Sequence, residues 1–128
     1  GIRDYYASRG LGDVYKRQAL TGVDLLVLES NHDVEWLRSG PYPYSLKQRI
    51  LGQRGHLSNE DAAAFARRMA ECGTRCIVLA HLSRENNTPQ RALAVMETAL
   101  SGLDVTVEVA PRGELSACYG AEVALCRK

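Results

Sequence analysis

The 128-residue chain has no apolar run of membrane-spanning length, no block of like charge, no Cys-x-x-Cys pair, no internal repeat and no low-complexity stretch. The first absence leaves no candidate transmembrane helix within these 128 residues. A net charge of +1 without a basic cluster excludes the dense phosphate-binding surface of a dedicated nucleic-acid-binding domain. Any contact with nucleic acid therefore has to be local, through a few groups at a site. The four cysteines, at 72, 76, 118 and 126, fit no zinc-finger register and are expected to be buried thiols of a cytoplasmic protein. Histidine is scarce, with only His32, His56 and His81, and neither His-x-His nor His-x-x-x-His occurs. The residues alone therefore cannot build a closed metal site, which takes about four ligands.

What is present suits one globular domain, with 45% apolar and 24% charged residues. Residues Asp13-Val14-Tyr15-Lys16-Arg17-Gln18 look like a translated transposon end of the kind used to make sequencing libraries. Gly1–Gln18 is accordingly expected to be a non-native tail, and Ala19–Lys128 a partial domain cut on its N-terminal side. An ordinary native tail is the alternative.

Val23–Glu29 is short and nearly continuous in apolar residues, as in a strand buried on both faces. Ser30, three residues before Asp33, offers a capping box for a short helix carrying Val34, Trp36 and Leu37 that stops at Gly40-Pro41. A second short helix is predicted over Ser45–Leu51. Ser58, with Asp61 three residues on, caps an alanine-rich helix that Gly73 ends. Cys76–His81 reads as a second strand. Thr88 and Pro89 open a helix with Leu93, Met96, Ala99, Leu100 and Leu103 inward. Val105, Val107 and Val109 alternate with polar residues, predicting a strand with one buried face, and Ser116–Cys126 is a further strand or a frayed end. The order is β-α-β-α-β, an α/β pattern with a parallel sheet and right-handed crossovers.

Such sheets place chemistry at their carboxyl edge. The three histidines all lie in or beside polar loops, which favours a shared site. His81, ending a strand, is the best metal-ligand candidate. Glu29, also at a strand end, either caps the next helix, or orients a histidine or touches a metal. His56 lies between Gly55, which lets the backbone approach a ligand, and a helix start that favours phosphate; a histidine there can act as general acid for a leaving oxygen. Arg84, Glu85, Asn86 and Asn87 form a polar loop that is solvated or, through Asn86-Asn87, binds substrate. Tyr42 and Tyr44 pack on the surface or stack on a base.

Four segments carry a family resemblance: Asp24-Leu-Leu-Val-Leu-Glu-Ser-Asn-His-Asp33, Tyr42-Pro-Tyr-Ser-Leu-Lys-Gln-Arg-Ile-Leu51, Arg54-Gly-His-Leu-Ser-Asn-Glu-Asp-Ala62 and Val78-Leu-Ala-His-Leu-Ser-Arg-Glu-Asn-Asn-Thr-Pro89. Together they resemble the C-terminal half of metallo-β-lactamase-fold hydrolases, in the YycJ/WalJ nuclease-like branch. The resemblance implies a four-layer α/β-β/α sandwich holding two divalent metal ions, zinc or manganese. It implies a phosphodiester substrate such as nucleic acid, hydrolysed by a metal-activated hydroxide. His81 matches the last metal-binding histidine of that fold. His56, in Gly-His-Leu-Ser, is similar to the proton-donating histidine of ribonuclease Z enzymes, and Glu29 to its glutamate partner. The family's His-x-His-x-Asp-His motif is absent from the chain, so an N-terminal half is expected to be missing and this chain to be inactive alone. The rivals are a hydrolase of the same fold acting on an ester or thioester, and a small α/β module that binds an anion at the Ser58 or Thr88 helix start without metal.

Overall fold

The computed structural model describes residues 22–52 and 55–111. The tail Gly1–Gln18, the Ser116–Cys126 segment, Cys118 and Cys126 lie outside the described residues. The elements run β1 (Leu25–Glu29), α1 (Val34–Ser39), α2 (Tyr44–Leu51), α3 (Asn59–Glu71), β2 (Cys76–Ala80), α4 (Pro89–Ala99) and β3 (Thr106–Val109). The three strands form one parallel sheet in the order β1-β2-β3, with Leu25 opposite Cys76 and Cys76 opposite Thr106. The α/β pattern and parallel pairing thus agree with the order of elements in the sequence. Among the described residues no helix is long and apolar enough to cross a membrane.

Alternation along β1 and β2 divides the core in two. Leu26, Leu28, Ile77 and Leu79 face α3 and α4, where Ala62, Phe65, Ala66, Met69, Ala92 and Met96 meet them. Leu25, Val27, Val78 and Ala80 form a smaller buried cluster of their own, with Cys76 and Ala110 at its margin. Because both faces are covered, all five residues of β1 are buried, which is why its sequence reads as a run rather than an alternation. β3 does alternate. Val107 and Val109 pack against the α3/α4 side, while Thr106 and Glu108 are exposed.

Caps set the helix boundaries. The Asp61 amide donates to Ser58 Oγ at 3.1 Å and the Arg91 amide to Thr88 Oγ1 at 3.1 Å, with Pro89 in the first turn. α1 differs from the predicted capping box: its cap is Asp33, whose Oδ1 accepts from the Trp36 amide at 3.0 Å. Ser30 is instead buried, with its hydroxyl turned to Asn59. Asp33 Oδ2 also accepts from Arg91 Nε at 3.0 Å, and the Arg91 guanidinium lies 4.2 Å from the Trp36 ring centroid. One arginine on α4 thereby secures the start of α1. The expected burial of the thiols fails at Cys72, which caps α3 and is exposed; Cys76 is half-buried.

Leu79 is fully buried on the middle strand of the described sheet, whereas Val107 is half-buried on its outer strand β3. Leu79→Ala is expected to cost about 2–5 kcal/mol of unfolding free energy and Val107→Ala clearly less. Urea midpoints for the two variants check this, and equal losses contradict the placement of the core.

Candidate functional site

Three loops leave the carboxyl edge of the sheet or enter the helices beside it: 30–33 after β1, 55–58 before α3, and 81–88 after β2. The first runs between the other two. The Asn31 amide donates to the Leu57 carbonyl at 2.9 Å and the Asn59 amide to the His32 carbonyl at 2.8 Å. On its other side, the Ser83 amide donates to the Asn31 carbonyl at 2.7 Å and the Asp33 amide to the Asn86 carbonyl at 2.9 Å.

Beneath these backbone bonds lies a buried polar network. Asn59 and Asn87 exchange carboxamide hydrogen bonds at 2.9 Å in both directions. Ser30 Oγ donates to Asn59 Oδ1 at 2.6 Å, Asn87 Nδ2 to the Ser30 carbonyl at 2.9 Å, and the Thr88 amide to Asn87 Oδ1 at 2.9 Å. Buried amides are tolerated only when their donors and acceptors are met in this way. Asn86 and Asn87 are therefore neither solvated nor positioned for substrate; both are buried parts of the scaffold. The reading of the sequence missed Asn59 and Ser30. Their signal was an asparagine directly inside a strong helix cap and a serine following an apolar strand.

On this scaffold Glu29 and His56 come together. Glu29 is the last residue of β1 and is buried. Its Oε2 lies 2.7 Å from His56 Nδ1, and its Oε1 accepts from the Leu57 amide at 2.9 Å. The carboxylate thus binds the loop before α3, not the first amides of α1. Side-chain exposure is 6% for Glu29 and 52% for His56, so a buried acid holds a histidine whose ring reaches solvent. With Nδ1 engaged, Nε2 is the nitrogen left for chemistry. Gly55 has a different purpose from the expected approach to a ligand. A Cβ there would strike the Ile50 carbonyl, which accepts from the His56 amide at 3.2 Å. The glycine lets the chain fold back on α2 and so sets His56 in place.

His81 follows β2 rather than ending it. Ala80 is the register partner of Glu29, so His81 leaves the sheet at the same edge. It adopts a left-handed conformation, φ 58°, and is the only non-glycine to do so among the described residues. Its carbonyl accepts from Asn31 Nδ2 at 2.8 Å, which ties the strained turn to the loop after β1. His32 does not share a surface site with the other two histidines. It is fully buried, with Nδ1 3.2 Å from Asn31 Oδ1. Among the described residues no group of three or more His, Cys, Asp or Glu could hold a metal ion. The described residues therefore do not complete a donor set for the expected metals.

The chain is 49% identical over 86 residues to the exodeoxyribonuclease WalJ of Streptococcus pneumoniae serotype 2 (strain D39 / NCTC 7466), a match covering 67% of this chain and 32% of that protein. The same identity holds over 73 residues with the exodeoxyribonuclease YycJ of Bacillus anthracis, covering 57% and 28%. The chain is WalJ/YycJ-like over these spans. It spans about a third of the length of the curated relatives it matches. No family model matches it, and no solved structure matches it.

The left-handed turn predicts a backbone effect separable from the imidazole. His81→Gly and His81→Ala both lose the ring, but only alanine keeps the cost of positive φ, so the glycine variant is expected to be about 1 kcal/mol the more stable. Thermal melts compare them directly, and an alanine variant of equal or greater stability contradicts the strained turn.

Proposed function

We propose that this chain is part of a phosphodiester-cleaving nuclease of the WalJ/YycJ kind, that DNA is its substrate, and that it works in the cytoplasm. In this reading it is the C-terminal half of a four-layer α/β-β/α metallo-β-lactamase sandwich, and the other half of the active site lies outside it. The observation that carries the reading is the 2.7 Å pairing of buried Glu29 with half-exposed His56 at the carboxyl edge of the sheet. The names of the relatives supply the substrate class.

The chemistry follows from that pair. Glu29, with Oε1 held by the Leu57 amide, accepts from Nδ1 through Oε2 and fixes the ring, which leaves Nε2 for the reaction. With both ring nitrogens protonated, His56 gives the Nε2 proton to the sugar oxygen that leaves phosphorus, and the neutral ring keeps its hydrogen on Nδ1. Without a donor, that oxygen would depart as an alkoxide. The resemblance adds two divalent metals, zinc or manganese, with His81 as one ligand; the described residues do not complete their donor set.

The anion-binding alternative loses ground at both helix starts. The Asn59 and Asp61 amides are taken by the His32 carbonyl and Ser58 Oγ, and the Arg91 amide by Thr88 Oγ1. Pro89 has no amide hydrogen to offer.

The test uses a full-length enzyme carrying this segment, with two substrates. His56→Ala is expected to slow DNA hydrolysis by about 10²–10⁴-fold. On bis(p-nitrophenyl) phosphate, whose phenolate leaves without a proton, the loss is expected to be far smaller. Equal losses on the two substrates remove the general-acid role.

A further inference from the structure

We propose that the groove between the end of α1 and the outer side of α2 binds a nucleotide of single-stranded DNA. The proposal rests on the nuclease reading for its choice of polyanion, and on its own geometry for the site. The groove has a volume of about 460 Å³ and is lined by Arg38, Tyr44, Lys47, Gln48 and Leu51. That is within the range of about 300–1,000 Å³ common to small-molecule sites.

Two features of α2 are unexplained by folding. Its eight residues include none that is fully buried, so the helix is not held in place by a core face of its own. Tyr44, at its first position, is 76% exposed, the more exposed of the two large hydrophobic residues at the described surface. The other, Trp36, already stacks on Arg91. An exposed ring of this kind is free to take a base on its face, and base–aromatic stacking tolerates any sequence.

The charges complement a nucleic-acid strand. From Val34 to Gly52 the bases Arg38, Lys47 and Arg49 face a single acid, Glu35, in a chain whose net charge is only +1. Among the described residues no acidic side chain lines the groove. Lys47 Nζ donates to the Arg38 carbonyl at 2.6 Å, which fixes the ammonium over the end of α1, and among the described residues no carboxylate pairs with it. Arg38 and Lys47 thus offer two cations to phosphate beside Tyr44 and Leu51, which offer apolar surface to a base. Gln48 can donate to and accept from base edges or sugar. His56 lies beside the end of the same helix, its amide donating to the Ile50 carbonyl of α2 at 3.2 Å.

Fluorescence anisotropy of a labelled oligothymidylate, titrated with this chain at two salt concentrations, reads binding without cleavage. Tyr44→Ala is expected to weaken binding about fivefold or more, and Tyr44→Phe to restore it, because the ring and not the hydroxyl stacks. Lys47→Gln is expected to weaken binding and to lower the slope of log affinity against log salt by about 0.7. Arg75→Gln, at an exposed cation at the opposite end of β2 whose guanidinium lies 3.9 Å from Asp104, is the control and is expected to change affinity little. Circular dichroism verifies that each variant is folded. Affinity unchanged in Tyr44→Ala and Lys47→Gln overturns the groove and leaves the nuclease reading standing, since that reading is tested by cleavage through His56. A loss equal in all variants, Arg75→Gln included, or equal binding of a heparin competitor insensitive to Tyr44, also overturns it in favour of unspecific charge.

Discussion

Asn59 and Asn87 stand 28 residues apart in the chain, at the starts of the two helices that cover the sheet, and their buried side chains exchange hydrogen bonds at 2.9 Å. Ser30, just beyond the end of β1, donates into the same pair, and its carbonyl accepts from it. Three loops are thereby fixed against one another by groups that have no access to water. Each partner depends on the others, because a buried amide left unsatisfied costs about 1–3 kcal/mol. The carboxyl edge of the sheet is consequently a single unit rather than three independent turns.

That rigidity is what the Glu29–His56 pair requires. A buried carboxylate is stable only when its oxygens are held by donors, and here one oxygen takes the Leu57 amide and the other the imidazole. Both donors belong to the loop before α3, so the loop must stay in register with β1. The Asn31 and Asn59 amide bonds across that loop keep it there. Gly55 serves the same end from the other side by letting the backbone turn under Ile50. His81 is set by the strand adjoining β1 and by Asn31, so both exposed histidines answer to the loop that follows Glu29.

Much of this was legible in the sequence wherever a local rule decides the structure. The apolar run of β1, the Ser58 and Thr88 caps, and the valine alternation of β3 each specify their element through a few neighbouring residues. Glu29 and His56 are 27 residues apart, and only the resemblance to a known family suggested pairing them. The errors have a common cause. Ser30 and Asp33 both suit a cap, and long-range bonds from Asn59 and Arg91 decide between them. Asn86 and Asn87 look like surface residues by type, yet partners distant in sequence allow them to be buried. The left-handed turn at His81 has no local signal at all, because a histidine replaces the glycine that usually marks one.

The central claim is that Glu29 fixes which nitrogen of His56 carries out chemistry. Long-range proton–nitrogen NMR correlations of the His56 ring test it most directly, since they distinguish the two neutral tautomers. The account predicts that neutral His56 carries its hydrogen on Nδ1, bonded to Glu29, and that this preference is lost in Glu29→Ala. A neutral ring with its hydrogen on Nε2, or a tautomer unchanged by Glu29→Ala, would contradict it.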